Sequence, residues 1–366
     1  MTQKPAKQPQ AEPTRAGRVA ILGRPNVGKS TLLNAALEQP LSIVSPTPQT
    51  TRDAILGIVR HGAAEIALID TPGLHRAGSA LGRAMNRSAR EAARSADVVV
   101  FVAEVPPPRV LERVARQKGA RAAKDTGART DADTQAHADA HTDADAHTDA
   151  GAHAGAGADA DADAPTRGRG RGRAAPAAAI IHPGDATLLA DIPPETPVVL
   201  VLNKVDLLKD KTSMLPLLEA FGALRDFAAV VPVSATRGAK GGIARVLEEV
   251  ARLCPEGPHQ HEEDEITDRP VRFFASEYVR EQILRATKEE VPHAVAVEIT
   301  DFREPDSAAA QKGAVVRIEA TIHVERPGQK KILVGARAEM LKRIGTAARK
   351  RIEELLGRRV HLALFV

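Results

Sequence analysis

Residues 18–30 read RVAILGRPNVGKS, and the fold turns on them. The apolar run RVAILG (18–23) has the composition of a strand covered on both faces. Gly23-Arg24-Pro25-Asn26-Val27-Gly28-Lys29-Ser30 then fills all eight positions of a phosphate-binding loop, directly ahead of a helix expected over Thr31–Glu38. Glycines let the loop curl so that successive N–H groups point inward, and the helix start adds its positive end. Together they hold a polyphosphate. Gly23, Asn26, Gly28, Lys29, Ser30 and Thr31 are the candidate contacts, with Lys29 neutralising the outer phosphates and Ser30 offering a hydroxyl to Mg²⁺.

Working outward, three further strand ends carry matching chemistry. Asp70-Thr71-Pro72-Gly73 follows the apolar run Ala64 to Ile69, which puts a carboxylate at the carboxyl edge where open α/β sheets bind ligands. Asp70 is expected to reach Mg²⁺ through water, and the Gly73 N–H to sense a γ-phosphate. Asn203-Lys204-Val205-Asp206 follows PVVLVL (197–202). Asp206 can accept N1–H and N2–H₂ of guanine together, whereas adenine leaves the carboxylate unpaired, a mismatch worth about 10⁴-fold in discrimination. Lys204 is placed to lie over the base and Asn203 to brace the loops. Ser234-Ala235 ends the strand AAVVPVSA (228–235), where a backbone N–H can meet guanine O6. The ligand expected is GTP or GDP, not ATP.

The chain has 366 residues, 43% apolar and 27% charged, enough for two domains with segments to spare. Residues 1–17 read as a disordered tail, and DVVVFVAEV (97–105) as a buried strand after a helix over about 79–95. The stretch 106–179, mostly Ala, Asp, His, Thr, Gly and Arg, reads as a disordered insertion within one nucleotide-binding domain (18–253). Closing so long a loop costs only about 2 kcal/mol more than a short one. His137, His141, His147 and His153 are spaced too irregularly to be assigned a metal site. No apolar run approaches a membrane span and the N-terminus is polar, so a cytoplasmic protein is expected. Eight aromatics, none of them Trp, disfavour base-stacking platforms, so any RNA must be held mainly by its backbone. The single Cys254 forms no internal disulfide.

CPEGPHQHEEDEITDRP (254–270) reads as a linker. Beyond it a helix (272–288), two alternating strands (293–303 and 313–325), a basic helix (339–356) and the strand RVHLALFV suggest a small α+β domain.

The ordered set GRPNVGKS, PQTTRD (48–53), DTPG, NKVD and SA resembles the translation-factor-related GTPases. SIVSPTPQTTRDAILGI (42–58), DTPGLH (70–75), ITDRPVRFFASEYVREQILRATKEEVPHAVAVEI (266–299) and ERPGQKKILVG (325–335) are similar to the Era family of ribosome-assembly GTPases. The likeness covers roughly 18–105 and 182–366. It implies an α/β fold, a P-loop GTPase G domain with a mostly parallel sheet, followed by a smaller α+β type II KH domain over 271–366. It implies slow GTP hydrolysis with Lys29, Thr51 and Gly73 as the catalytic groups. Mg²⁺ would lie on Ser30 and Thr51, with Asp70 reached through water, and K⁺ on Asn26. Leu74 stands where other GTPases carry a water-orienting Gln.

The partners implied are the 3′ end of 16S rRNA and the 30S subunit, with peripheral association at the inner face of the cell membrane and no DNA. Lys330, Lys331, Gly335, Arg337, Lys342 and Arg343 are the candidate RNA contacts. The family's GxxG loop reads Gly335-Ala336-Arg337-Ala338 here, and an alanine in its last position is strained if that position needs positive φ. Val366 ends the chain on a strand where the family continues, so contacts of that further segment are expected to be missing. Two rival readings follow from the same motifs. A GTPase arm of a tRNA-modifying enzyme would show a C-terminal cysteine motif where this chain has HLALFV. A membrane-associated or cell-cycle adaptor with weakened RNA binding would leave no small-subunit rRNA on the protein after crosslinking.

Overall fold

A computed structural model describes residues 13–45, 51–73, 80–113, 116, 180–287, 294–305 and 315–366. It divides into two compact units. The first spans Met1–Val105, His182–Lys211 and Gly222–Val366, and the second Pro106–Ile181 with Thr212–Phe221. Nearly all of the expected insertion, and with it the four histidines, lies outside the described residues, as do residues 46–50 and Leu74. The described part of the second unit holds a helical stretch at 108–113 and most of a helix over Leu215–Gly222.

The first unit carries two sheets. In the larger, β1 (Arg15–Leu22), β2 (Ile55–His61), β3 (Ala64–Asp70), β4 (Val98–Glu104), β5 (Val198–Asn203) and β6 (Ala229–Pro232) lie in the order β2-β3-β1-β4-β5-β6. Only β2 runs antiparallel. Val98 to Val102 and Val198 to Leu202 are almost fully buried, as strands with helices on both sides require. β1 connects onward to β3 on one side while β4 lies on its other side, so the crevice at its carboxyl end is the topological switch point. The loop 23–28 leaves there and enters α1 (Lys29–Leu37). α2 (Ala80–Arg94) follows β3, α3 (Pro183–Ala190) precedes β5, and α4 (Ile243–Leu253) closes this half.

The second sheet, β7 (Val295–Arg303), β8 (Val316–Val324) and β9 (Val360–Phe365), pairs antiparallel and then parallel. α5 (Val271–Ala286), α6 (Pro327–Val334) and α7 (Glu339–Leu356) complete it. Val279, Ile283, Ile322, Leu333, Ile344 and Ala348 form its core. Among the described residues no helix is long and apolar enough to cross a membrane.

One expectation is corrected and one is refined. Arg15 to Gly17 are strand, not tail, and the linker 254–270 is docked along the sheet rather than running clear of it. The reason is mutual pairing: the Ala16 N–H donates to the Pro255 carbonyl at 3.1 Å and the Gly257 N–H to the Thr14 carbonyl at 3.0 Å. Farther on, the Ile58 N–H of edge strand β2 donates to the Ile266 carbonyl at 2.9 Å. Glu65, 2% exposed, accepts the Gln260 N–H at 2.8 Å and faces the His261 ring at 2.9 Å. The docked segment thereby satisfies edges that would otherwise be open.

Candidate nucleotide-binding site and RNA surface

The loop after β1, the end of β3, Thr51 and the loop after β5 enclose a cavity of about 450 Å³. Its shape rests on close approaches. Gly28 has φ 103°, and a Cβ there would lie 2.2 Å from Asn203 Nδ2. Asn203 in turn donates to the Val27 carbonyl at 2.8 Å and accepts from the Lys204 and Ala235 N–H groups at 2.8 and 3.0 Å. Asn203 thus connects the phosphate loop, its own loop and the end of β6. The Ala235 N–H, just past the end of β6, is held by the Asn203 amide oxygen. Gly73 passes so close to the phosphate loop that a Cβ would sit 2.8 Å from the Pro25 backbone. Thr71 fixes this segment by donating to the Ile21 carbonyl at 2.7 Å.

Lys29 is buried, with Nζ donating to the Gly23 and Arg24 carbonyls at 3.1 and 3.0 Å. Burial lowers its pKa to about 8, although the nearby Asp70 carboxylate pulls it back up. A cation held in a dry site is attracted strongly to an incoming phosphate. Asp70 is fully buried, and burial raises its pKa against the opposing pull of Lys29. Its Oδ2 accepts from Ser30 Oγ at 2.7 Å, Ser42 Oγ at 3.1 Å and Thr51 Oγ1 at 3.2 Å, and Ser30 and Thr51 lie 3.0 Å apart. Its Oδ1 is buried with no hydrogen-bond partner among the described residues. Three hydroxyls converge on this carboxylate, and with its orphaned oxygen they are hard oxygen donors of the kind Mg²⁺ takes, most of its other ligands being phosphate and water. Among the described residues no group of three or more His, Cys, Asp or Glu side chains is placed to hold a metal ion.

At the other end of the cavity Asp206 accepts from Ser234 Oγ at 2.5 Å, and that bond holds its carboxyl below the usual carboxylate range. It is exposed and stays ionised, ready for two donors on one edge of a base. Lys204, at φ 65°, is paired with Glu104 at the end of β4. The other Glu104 oxygen lies 3.7 Å from Arg24, whose Nε donates to the buried Asp185 at 2.9 Å. A chain Asp185–Arg24–Glu104–Lys204 therefore ties the phosphate loop to the base loop. Sequence reading missed this chain and Ser42. The one available signal was an acidic residue at the carboxyl end of β4.

The RNA candidates lie together on the second sheet's helices. Lys330 and Lys331 are exposed on α6, and Lys342 and Arg343 on α7. Between the helices the loop 335–338 has Gly335 at φ 69°, Arg337 at φ 50° and Ala338 at φ 62°. Alanine therefore does stand in a left-handed conformation. A groove of about 380 Å³ beside it is lined by Ala338, Leu341, Lys342, Gly345, Leu362 and Leu364.

Comparison with known proteins agrees with this architecture. The family described as "50S ribosome-binding GTPase" matches residues 18–130, and "KH domain" matches 290–365. A GTPase Era of Xanthomonas oryzae pv. oryzae is 38% identical, aligned over 97% of this chain and 92% of that protein. The chain belongs to the Era family of GTPases. GTPase Era of Ruminiclostridium cellulolyticum is 32% identical over 96% of this chain and 91% of its own length. Aquifex aeolicus Era bound to GDP and aluminium fluoride superposes with a TM-score of 0.71 at 29% identity, covering 96% of this chain and 93% of that one. An Era structure in complex with MgGDPNP and nucleotides 1506–1542 of 16S ribosomal RNA gives the same figures. As an Era-family member the chain is a GTPase with a P-loop domain, a mostly parallel sheet and a C-terminal KH domain.

Proposed function

We propose that this Era-family GTPase uses GTP to control its hold on the 3′ end of 16S rRNA, and that it assists assembly of the 30S subunit in the cytoplasm. The observation that carries the proposal lies beside Thr51. Thr51 belongs to the Asp70 cluster, and its neighbour Arg52 donates to the Val295 carbonyl on the KH sheet at 2.7 Å. The same loop is gripped farther back, where Tyr278 Oη and Arg351 donate to the Pro40 carbonyl at 3.0 and 3.3 Å. A change at the γ-phosphate that moves Thr51 must therefore strain or release contacts to the RNA-binding half. That is how a bound nucleotide biases a distant surface.

In this reading Ser30 and Thr51 would hold Mg²⁺ directly and Asp70 through water, and the ion would supply positive charge where phosphate charge develops. Lys29 would neutralise the phosphates, the Gly73 N–H would meet the γ-phosphate, and Asn26, at φ 63° in the phosphate loop, is the residue proposed to hold a K⁺. Asp206 and Lys204 select guanine. Lys330, Lys331, Gly335, Arg337, Lys342 and Arg343 hold RNA phosphates. The test is turnover of GTP, with ATP as control, in K⁺ and in Na⁺, with and without 30S subunits. GTP-specific turnover accelerated by K⁺ and by 30S is expected. Equal use of ATP, or no acceleration by either, overturns the reading.

A further inference from the structure

The helix that follows the phosphate-sensing end of β3 carries an unusual face. On α2, Arg83, Arg87, Arg90 and Arg94 are spaced four, three and four apart, which places all of them on one stripe about 16 Å long. All four are exposed, while Met85, Ala89, Ala92 and Ala93 are buried on the opposite side. Arg90 pairs with Asp191 at 3.1 Å. Among the described residues Arg83, Arg87 and Arg94 have no ion-pair partner, and Glu91 is the only acid on the helix. Like charges one turn apart repel, and Arg83 in the first turn also faces the positive end of the helix dipole. The stripe is therefore not arranged to stabilise its own helix. A polyanion would relieve it.

We infer that the arginine face of α2 is a second RNA-docking surface, which binds backbone phosphates next to the nucleotide switch while the KH domain holds the RNA elsewhere. The inference rests on the RNA-binding function proposed above. RNA suits this face better than a lipid surface. Among the residues of the helix whose burial is described, the other exposed ones, Ala84 and Glu91, offer nothing to insert into a bilayer, and Met85, Ala89, Ala92 and Ala93 are buried. Phosphate contacts need only the charges, and each contributes a slope of about 0.7 to 0.9 in the logarithm of affinity against the logarithm of salt.

The experiment uses the full chain with a GTP analogue, titrated into a labelled RNA from the 3′ end of 16S rRNA between 50 and 400 mM KCl. The variant Arg83→Gln/Arg87→Gln/Arg94→Gln is compared with Lys342→Gln/Arg343→Gln, and GDP affinity is measured in each as a check on folding. The α2 variant is expected to keep its GDP affinity, to lower the salt slope by about 2 to 3, and to bind RNA about tenfold or more weakly at 100 mM salt. An unchanged slope in that variant, alongside a loss in the KH variant, overturns the second surface and leaves the RNA-binding function standing. No RNA binding by the unsubstituted chain overturns both. Phosphatidylglycerol vesicles form the last arm: a triple variant that loses vesicle binding but not RNA assigns the face to lipid and overturns the inference.

Discussion

Ala338→Gly tests whether the loop between α6 and α7 is strained. Ala338 sits at φ 62°, ψ 22° and caps α7, a conformation that brings Cβ too close to the following carbonyl and costs an L-residue roughly 1–2 kcal/mol. Glycine has no such penalty, but it loses about 0.4–1 kcal/mol to the greater freedom of the unfolded chain. The methyl lies at the groove edge and is only half-buried, so little packing is lost. The net expectation is a gain of about 0.5–1 kcal/mol. Ala336, two residues earlier, has no positive φ, and Ala336→Gly should instead lose about 0.4–1 kcal/mol. The pair differs in sign within one loop, which removes most concerns about a general effect of glycine. Urea denaturation of the full chain, followed through the KH transition, should place the two midpoints about 1 M or more apart, given a slope near 1 kcal/mol per M for a domain of this size. Ala338→Gly should also bind the rRNA fragment more tightly, since the methyl no longer stands where a phosphate approaches. Equal destabilisation by the two glycines would refute the strain argument.

Three further outcomes follow from the site. Lys29 in the free protein loses its proton as pH rises through about 8, while a bound phosphate keeps it charged, so binding takes up a proton above that pH. The Kd for GDP should rise about fourfold between pH 7 and 8.5, and a flat profile by calorimetry would contradict the buried cation. Glu104→Gln removes the anion between Arg24 and Lys204. Because the pair is about one-third exposed, a loss of roughly 1 kcal/mol, or about fivefold in GDP affinity, is expected, and titration with a fluorescent GDP that shows none would dismiss the bridge. Arg52→Ala breaks the bond to the Val295 carbonyl, so the ratio of RNA affinities with GTP analogue and with GDP should shrink toward one. An unchanged ratio would remove Arg52 from the coupling.

What could be read in the chain differs from what could not in a physically consistent way. Gly28, Lys29, Asp70, Asn203 and Asp206 were legible because each chemical task admits few residue types, and the strand ends fix their spacing. The buried strands were legible because continuous apolar runs of that length have few other uses. α6 was not, since its opening Pro327-Gly328 has the composition of a turn, whereas proline also suits the first position of a helix and Gln329 caps it by accepting the Glu325 and Arg326 N–H groups at 3.0 Å. The docking of the linker 254–270 was not legible for a related reason. Its Pro, Gly and acidic residues look solvated until Glu65, far away in sequence, is found buried and in need of the Gln260 and His261 donors.

The Asp185–Arg24–Glu104–Lys204 chain lay furthest out of reach, because Glu104 and Asp185 stand on opposite sides of the long insertion. Only the parallel register of β4 and β5, with Glu104 opposite Asn203, brings the acid beside Lys204. The residues proposed for the chemistry are thus set by local pattern. The residues that tie one loop's state to another's are set by tertiary register, and the contacts of Arg52 with the KH sheet belong to that second class.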